Sequence, residues 1–154
     1  MIFITHILGG VVAIVYLRNF LGSYSDNIEG TIAIFVSAVF SVLPDIDMAK
    51  SKTGRILQPF STVISFLFTH RGFLHSFVFA ALVYAGMLYL FPGVAAAAAI
   101  GYSSHLLLDA LTKEGIKPLS LLSKWKVRGF IRTGSLLEKL ILGVFVILLL
   151  LKSI

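Results

Sequence analysis

Five apolar runs divide this chain, at residues 2–21, 28–43, 73–91, 93–111 and 136–151. A helix needs about 20 residues to cross the hydrocarbon core of a bilayer, with roughly 17 to 25 tolerated. Runs of that kind leave few folds open, because a lipid-facing segment must satisfy its backbone hydrogen bonds internally. The composition agrees: 58% of the 154 residues are hydrophobic and 13% are charged, with a mean hydropathy of +0.98. A water-soluble domain of this size could not hide so much apolar surface. The sequence therefore predicts an all-α integral membrane protein, one polytopic domain over residues 1–154 with about five transmembrane helices. The second and fifth runs are short and must draw on flanking polar residues or thinner bilayer. Pro92-Gly93 breaks the third run from the fourth, which makes the two a helical hairpin. A sixth apolar piece, 60–69, comes after Pro59 and is too short to span, so it predicts a short interfacial or re-entrant helix. The first run has no basic leader or small-residue cleavage site and reads as a retained helix.

Charge then sets the orientation. A net charge of +6 and a pI near 9.8 first suggest nucleic acid. The distribution points elsewhere, to membrane topology. With five spans, one face receives Lys50, Lys52, Arg55, Arg71, Lys113, Lys117, Lys124, Lys126, Arg128, Arg132 and Lys139, and the other only Arg18 and Lys152. The positive-inside rule makes the first face cytoplasmic. The expected topology is N-in and C-out, with basic cytoplasmic loops at about 44–72 and 112–135, in a cell inner membrane and with no nucleic-acid partner. Around Lys124-Trp-Lys-Val-Arg128, charge alternates with apolar side chains, so Trp125 and Val127 could lie on the bilayer while the cations meet anionic headgroups. A loop that only enforces topology would look the same.

The same topology brings the chemistry-bearing residues to the cytoplasmic face: His6, Asp45, Asp47, His70, His75, His105, Asp109 and Glu138 all fall near helix ends on that side. No cysteine is present, which excludes thiolate ligands. Imidazole and carboxylate suit zinc and related divalent ions. His105 and Asp109 are four apart, so a helix puts them on one face. Ionisable residues inside an apolar helix are costly unless paired, and a cation offsets that cost. Blander roles fit several members singly. His6 reads as an interfacial hydrogen-bonding residue, His70 as a helix start, and Asp45 and Asp47 as turn formers after Pro44. Glu138 is evenly balanced between a site residue and a helix cap, because Ser135-Leu-Leu-Glu138 matches the capping box.

At these residues the sequence resembles the YdjM-type family of membrane-bound proteins predicted to be metal-dependent hydrolases. The resemblance rests on His6 with Gly9-Gly10, Pro44-Asp-Ile-Asp47, His70-Arg-Gly-Phe-Leu-His75-Ser76, Ser104-His-Leu-Leu-Leu-Asp109, Leu111-Thr112, Gly115, and Thr133-Gly-Ser135 with Glu138. It runs from residue 6 to residue 138. It implies a metal-dependent hydrolase with His6, Asp45, Asp47, His70, His75, His105 and Asp109 as candidate functional residues. The pattern also looks distantly like zinc-dependent phospholipases C, but four histidines are too few for a three-zinc site and point to one ion or two.

The expected function is hydrolysis of an ester, best a phosphoester, in a lipid-like or amphiphilic substrate at the cytoplasmic face. The cofactor is a divalent ion, Zn²⁺ first, with Mn²⁺ or Mg²⁺ as alternatives. His105, Asp109, His6 and one or both of Asp45 and Asp47 hold it. His70 or His75 acts as general acid or base, or as a further ligand, and Arg71 could clamp a phosphate. Glu138 stays a candidate beside them. Two other classes compete: a metal-ion transporter, which wants polar groups at the midplane and on both faces, and a non-catalytic membrane protein whose cluster is a metal-free hydrogen-bonded network. A His-Glu-x-x-His metalloprotease is excluded, since that motif is absent.

Overall fold

A computed structural model describes residues 1–21, 28–49, 51–67, 72–120 and 122–153. His70, Arg71 and Lys50 lie outside the described residues. Among those described, the chain forms α1 (Phe3–Leu21), α2 (Ile28–Phe40), α3 (Lys52–Ile56), α4 (Phe60–Leu67), α5 (Phe77–Leu90), α6 (Ala95–Ala110) and α7 (Leu136–Ser153), with short 3-10 turns at Leu43–Asp47, Phe73–His75 and Pro92–Val94. No strand is present among them, only isolated bridges between Thr112 and Ile131 and between Ile116 and Val127.

Each of the five apolar runs carries a helix. Their lengths do not establish five crossings. Among the described residues, one stretch, Ile28–Asp47, is long and apolar enough to cross a membrane, and it includes α2 and the 3-10 turn after it. The third run shows one way in which an apolar run falls short. Its first three residues coil into the 3-10 turn Phe73–His75, and Ser76 then caps α5, leaving that helix 14 residues. At 1.5 Å per residue that is about 21 Å, against a hydrocarbon core of about 30 Å.

α6 is the central helix, packed against α1, α2 and α5, while α7 packs on α1. Small residues let these backbones approach. A methyl group added at Gly101 would overlap the Ser37 carbonyl of α2, and one added at Gly10 would press on Ser41. Ser37 Oγ donates to the Gly10 carbonyl at 2.9 Å, tying α1 to α2. In the alanine run, Ala97 and Ala98 are fully buried, and Ala97 packs with Ile14, Val15 and Ala33. The turn at Pro92–Val94 joins α5 to α6 as the expected hairpin.

Several polar groups lie inside and many large apolar ones outside. His6, His75, His105, Asp47, Asp109 and Glu138 are buried, whereas Phe35, Phe66, Tyr89, Leu136 and Leu151 are exposed. Apolar surface on that scale needs a partner, and lipid is one. On α4, Phe60, Val63 and Phe66 recur at every third position and are all exposed, while Ser61 is buried against Gly54. The basic loop folds back on the end of α6, where the backbones of Ile116 and Val127 exchange hydrogen bonds of 2.9 and 3.0 Å. That pairing turns Val127 partly inward, so only Trp125 of the expected pair is well exposed.

Candidate metal centre

Three local structures converge on one place. α6 carries His105 and Asp109 on its buried face, one turn apart. The 3-10 turn Leu43–Asp47, started by Pro44, carries Asp45 and Asp47, and Ser51 Oγ fixes it by donating to the Asp45 carbonyl at 2.8 Å. The turn Phe73–His75 delivers His75. Ser76 then caps α5 by accepting from the Phe79 amide, and Tyr102 of α6 donates to the Leu74 carbonyl at 2.6 Å. His6 enters from the start of α1.

Both His75 and His105 have their rings fixed through Nδ1. In His105, Nδ1 lies 2.8 Å from the Ser41 carbonyl oxygen and so donates to it, which leaves Nε2 with the lone pair. In His75, Nδ1 lies 3.1 Å from Asp47 Oδ2. The two Nε2 atoms then face each other at 3.2 Å. Asp45 Oδ1 is 3.7 Å from each of them, and Asp109 Oδ2 is 3.9 Å from His75 Nε2 and 3.8 Å from His105 Nε2. A tetrahedral zinc with bonds of about 2.0–2.1 Å spaces its donors about 3.3 Å apart. His75 Nε2, His105 Nε2 and Asp45 Oδ1 fit one such ion with shifts of a few tenths of an ångström, and Asp109 Oδ2 lies within 4 Å of both nitrogens. Two imidazole lone pairs aimed at each other repel unless a cation, a metal or a proton, sits between them, so the donor set itself argues for an occupant.

His6 lies beside this set. Its ring stacks on His105 with centroids 3.8 Å apart and planes 17° apart. Its Nε2 is 3.4 Å from Asp109 Oδ1, yet neither ring nitrogen has a hydrogen-bond partner among the described residues, although the side chain is 1% exposed. His6, His105 and Asp109 make a second donor group beside that of Asp45, His75 and His105. His105 offers only one free nitrogen, so it serves one ion, not two. Asp109 Oδ1 also accepts from the Met1 amino group at 2.6 Å.

His75 sits outside the helices, and its charge state is set by its neighbours. Burial disfavours its cationic form, but Asp45 and Asp47, with help from Asp109, outweigh burial and raise its pKa to about 9.

Of the residues expected from the sequence, His6, Asp45, His75, His105 and Asp109 come together as grouped donors. Asp47 adjoins them on the far nitrogen of His75. Glu138 joins neither group. Its Oε1 accepts from the Ile2 amide and its Oε2 from the Gly134 amide, both at 2.6 Å, so the carboxylate anchors the chain ahead of α1 and the turn ahead of α7. The capping-box geometry is only half kept, since the Glu138 amide is 3.5 Å from Ser135 Oγ while its side chain reaches Gly134 instead. His70 and Arg71 fall outside the described residues. The sequence reading missed the Ser41 carbonyl, which no residue type could have signalled, and Tyr102, whose buried hydroxyl inside the Gly-Tyr-Ser-Ser-His segment was a signal.

The profile of the family described as YdjM inner membrane protein matches residues 1–153. The chain belongs to that family. It is 34% identical over 143 residues to "Uncharacterized protein YvsG" of Bacillus subtilis (strain 168), covering 90% of this chain and 86% of that one. It is 38% identical over 104 residues to "Inner membrane protein YdjM" of Escherichia coli (strain K12), and equally to that of Shigella flexneri. Those matches cover 62% of this chain and about half, 52%, of each relative. No solved structure matches the chain. Membership of an inner membrane protein family agrees with the apolar exterior, and the buried His and Asp groups are ones that could hold a metal ion.

Proposed function

We propose that this family member is a multi-pass membrane protein, N-in and C-out, that uses a single divalent ion to hydrolyse an ester at the cytoplasmic face, best a phosphoester of an amphiphilic substrate. The observation that carries this reading is the convergence of His75 Nε2 and His105 Nε2 on Asp45 and Asp109, with both Nδ1 atoms already engaged. His75, His105 and one or both of Asp45 and Asp109 would hold the ion, zinc by the chemistry of the donors, with one position left open to water. The bound ion would supply Lewis-acid activation of water and of the ester oxygen.

The chain's own groups do the rest. Asp47 and the Ser41 carbonyl hold the two rings in the tautomer that presents Nε2. His6, buried, with neither ring nitrogen hydrogen-bonded among the described residues and Nε2 3.4 Å from Asp109 Oδ1, would take the proton of the attacking water. Burial keeps bulk water from competing for the site. The basic loop and the apolar stripe of α4 face headgroups and acyl chains.

The test is phosphoester hydrolysis by purified protein together with its metal content. Asp109→Ala should lose both. His6→Ala should keep the ion and lose about 10²–10⁴-fold in rate, the range for a positioned acid or base. Full activity in Asp109→Ala would sink the reading, and metal loss in His6→Ala would make His6 a ligand. A metal-free network, in which His75 shares a proton with His105, is the second reading; the raised pKa of His75 favours it. A chelator-insensitive, metal-free preparation would select it.

A further inference from the structure

A cavity of about 630 Å³ opens beside the donor cluster. Small-molecule sites run from about 300 to 1,000 Å³, so this one is large enough for a substrate. Asp45 both lines the cavity and belongs to the cluster, and its side chain is 19% exposed, whereas those of His75 and His105 are fully buried. A molecule entering from outside would therefore meet the donors at Asp45.

The walls are of two kinds. Ile2, Ile4 and Met48 line it with apolar side chains, and all three are more than a third exposed. Lys52, the first residue of α3, supplies the cation. Its Nζ lies 5.7 Å from the centroid of the Phe3 ring, which also lines the cavity, and that contact keeps the ammonium there. Phe3 and His6 are three apart on α1, so one helix start serves the cation and the cluster together. Glu114 and Asp45 line the cavity too, so net charge does not select an anion; Lys52 is the basic side chain among its lining residues.

We propose that this cavity binds the substrate as a phosphate ester of a long-chain alcohol, with Lys52 holding the phosphate and Ile2, Ile4 and Met48 holding the chain. The assignment rests on reading the cluster as a hydrolytic centre.

The test uses the full chain in phosphatidylcholine nanodiscs with decyl phosphate as probe, binding to empty discs being subtracted. Lys52→Ala should weaken binding about tenfold or more, the loss of one hydrogen bond to a charged group. Lys52→Arg should stay within about threefold of wild type. Both variants should keep the wild-type metal content. Inorganic phosphate should bind at least about tenfold more weakly than decyl phosphate, since it lacks the chain. Unchanged binding in Lys52→Ala, equal binding of inorganic phosphate, or metal loss in Lys52→Ala would each overturn the assignment. Lys52-dependent binding without hydrolysis of any ester would support the cavity and sink the hydrolase reading. Hydrolysis untouched by Lys52→Ala would do the reverse.

Discussion

His75 and His105 reach the same end by different means. One ring is held by a carboxylate, Asp47, and the other by a backbone carbonyl, that of Ser41. Such outer partners commonly change metal affinity by about 10–100-fold, so Asp47→Ala should weaken the ion by that factor in competition with a chelator. Equal affinity would show that the His75 ring needs no such partner. Proton competition gives a second prediction. With its pKa raised to about 9, metal-free His75 holds a proton at neutral pH, and the ion must displace it. Apparent affinity should rise about tenfold per pH unit as pH climbs toward 9, then level off. A flat titration between pH 7 and 9 would contradict the placement of His75 among the donors. The residue types were legible in the sequence, as was the one-turn spacing of His105 and Asp109. The split between Asp45 and Asp47 was not. In an extended or irregular Asp-x-Asp either acid could face an ion, but a 3-10 turn advances about 120° per residue and aims the two apart. Asp45 becomes a donor and Asp47 its neighbour's support.

Among elements, α6 decides whether the cluster forms. Its small face admits α2 so closely that Gly101 has no room for a side chain, and His105 sits one turn later. Gly101→Leu should force α2 and α6 apart, at about 1–3 kcal/mol as for overpacked cores, and should lower metal occupancy with it. Gly86 of α5 has open space around the same position, so Gly86→Leu should leave occupancy unchanged. Detergent-solubilised protein, unfolded chemically and assayed for metal, would compare the two; matched losses would contradict this packing. Hydropathy alone located all five long helices, since apolar runs of that length have no other use in a chain like this. Their ends were another matter. Ser76 and the 3-10 turn before it shortened α5 because local capping chemistry overrides a continuous apolar pattern.

At the scale of the whole molecule, an apolar exterior surrounds a mixed interior in which a polar cluster is buried, which fits a family of inner membrane proteins. Which face looks into the cytoplasm rests on the basic loops. Since the chain contains no cysteine, a single introduced one reports its side alone. Lys126 is exposed, so Lys126→Cys should react with a membrane-impermeant thiol reagent in inside-out vesicles and not in intact spheroplasts. The opposite pattern would invert the topology and place the cluster outside. The cluster itself is tested most directly by elemental analysis of purified wild-type protein beside His105→Ala. The donor geometry predicts about one divalent ion per wild-type chain and almost none in the variant, with both proteins inserted and folded. A wild-type protein free of metal, or a His105→Ala protein that keeps it, would contradict the metal centre.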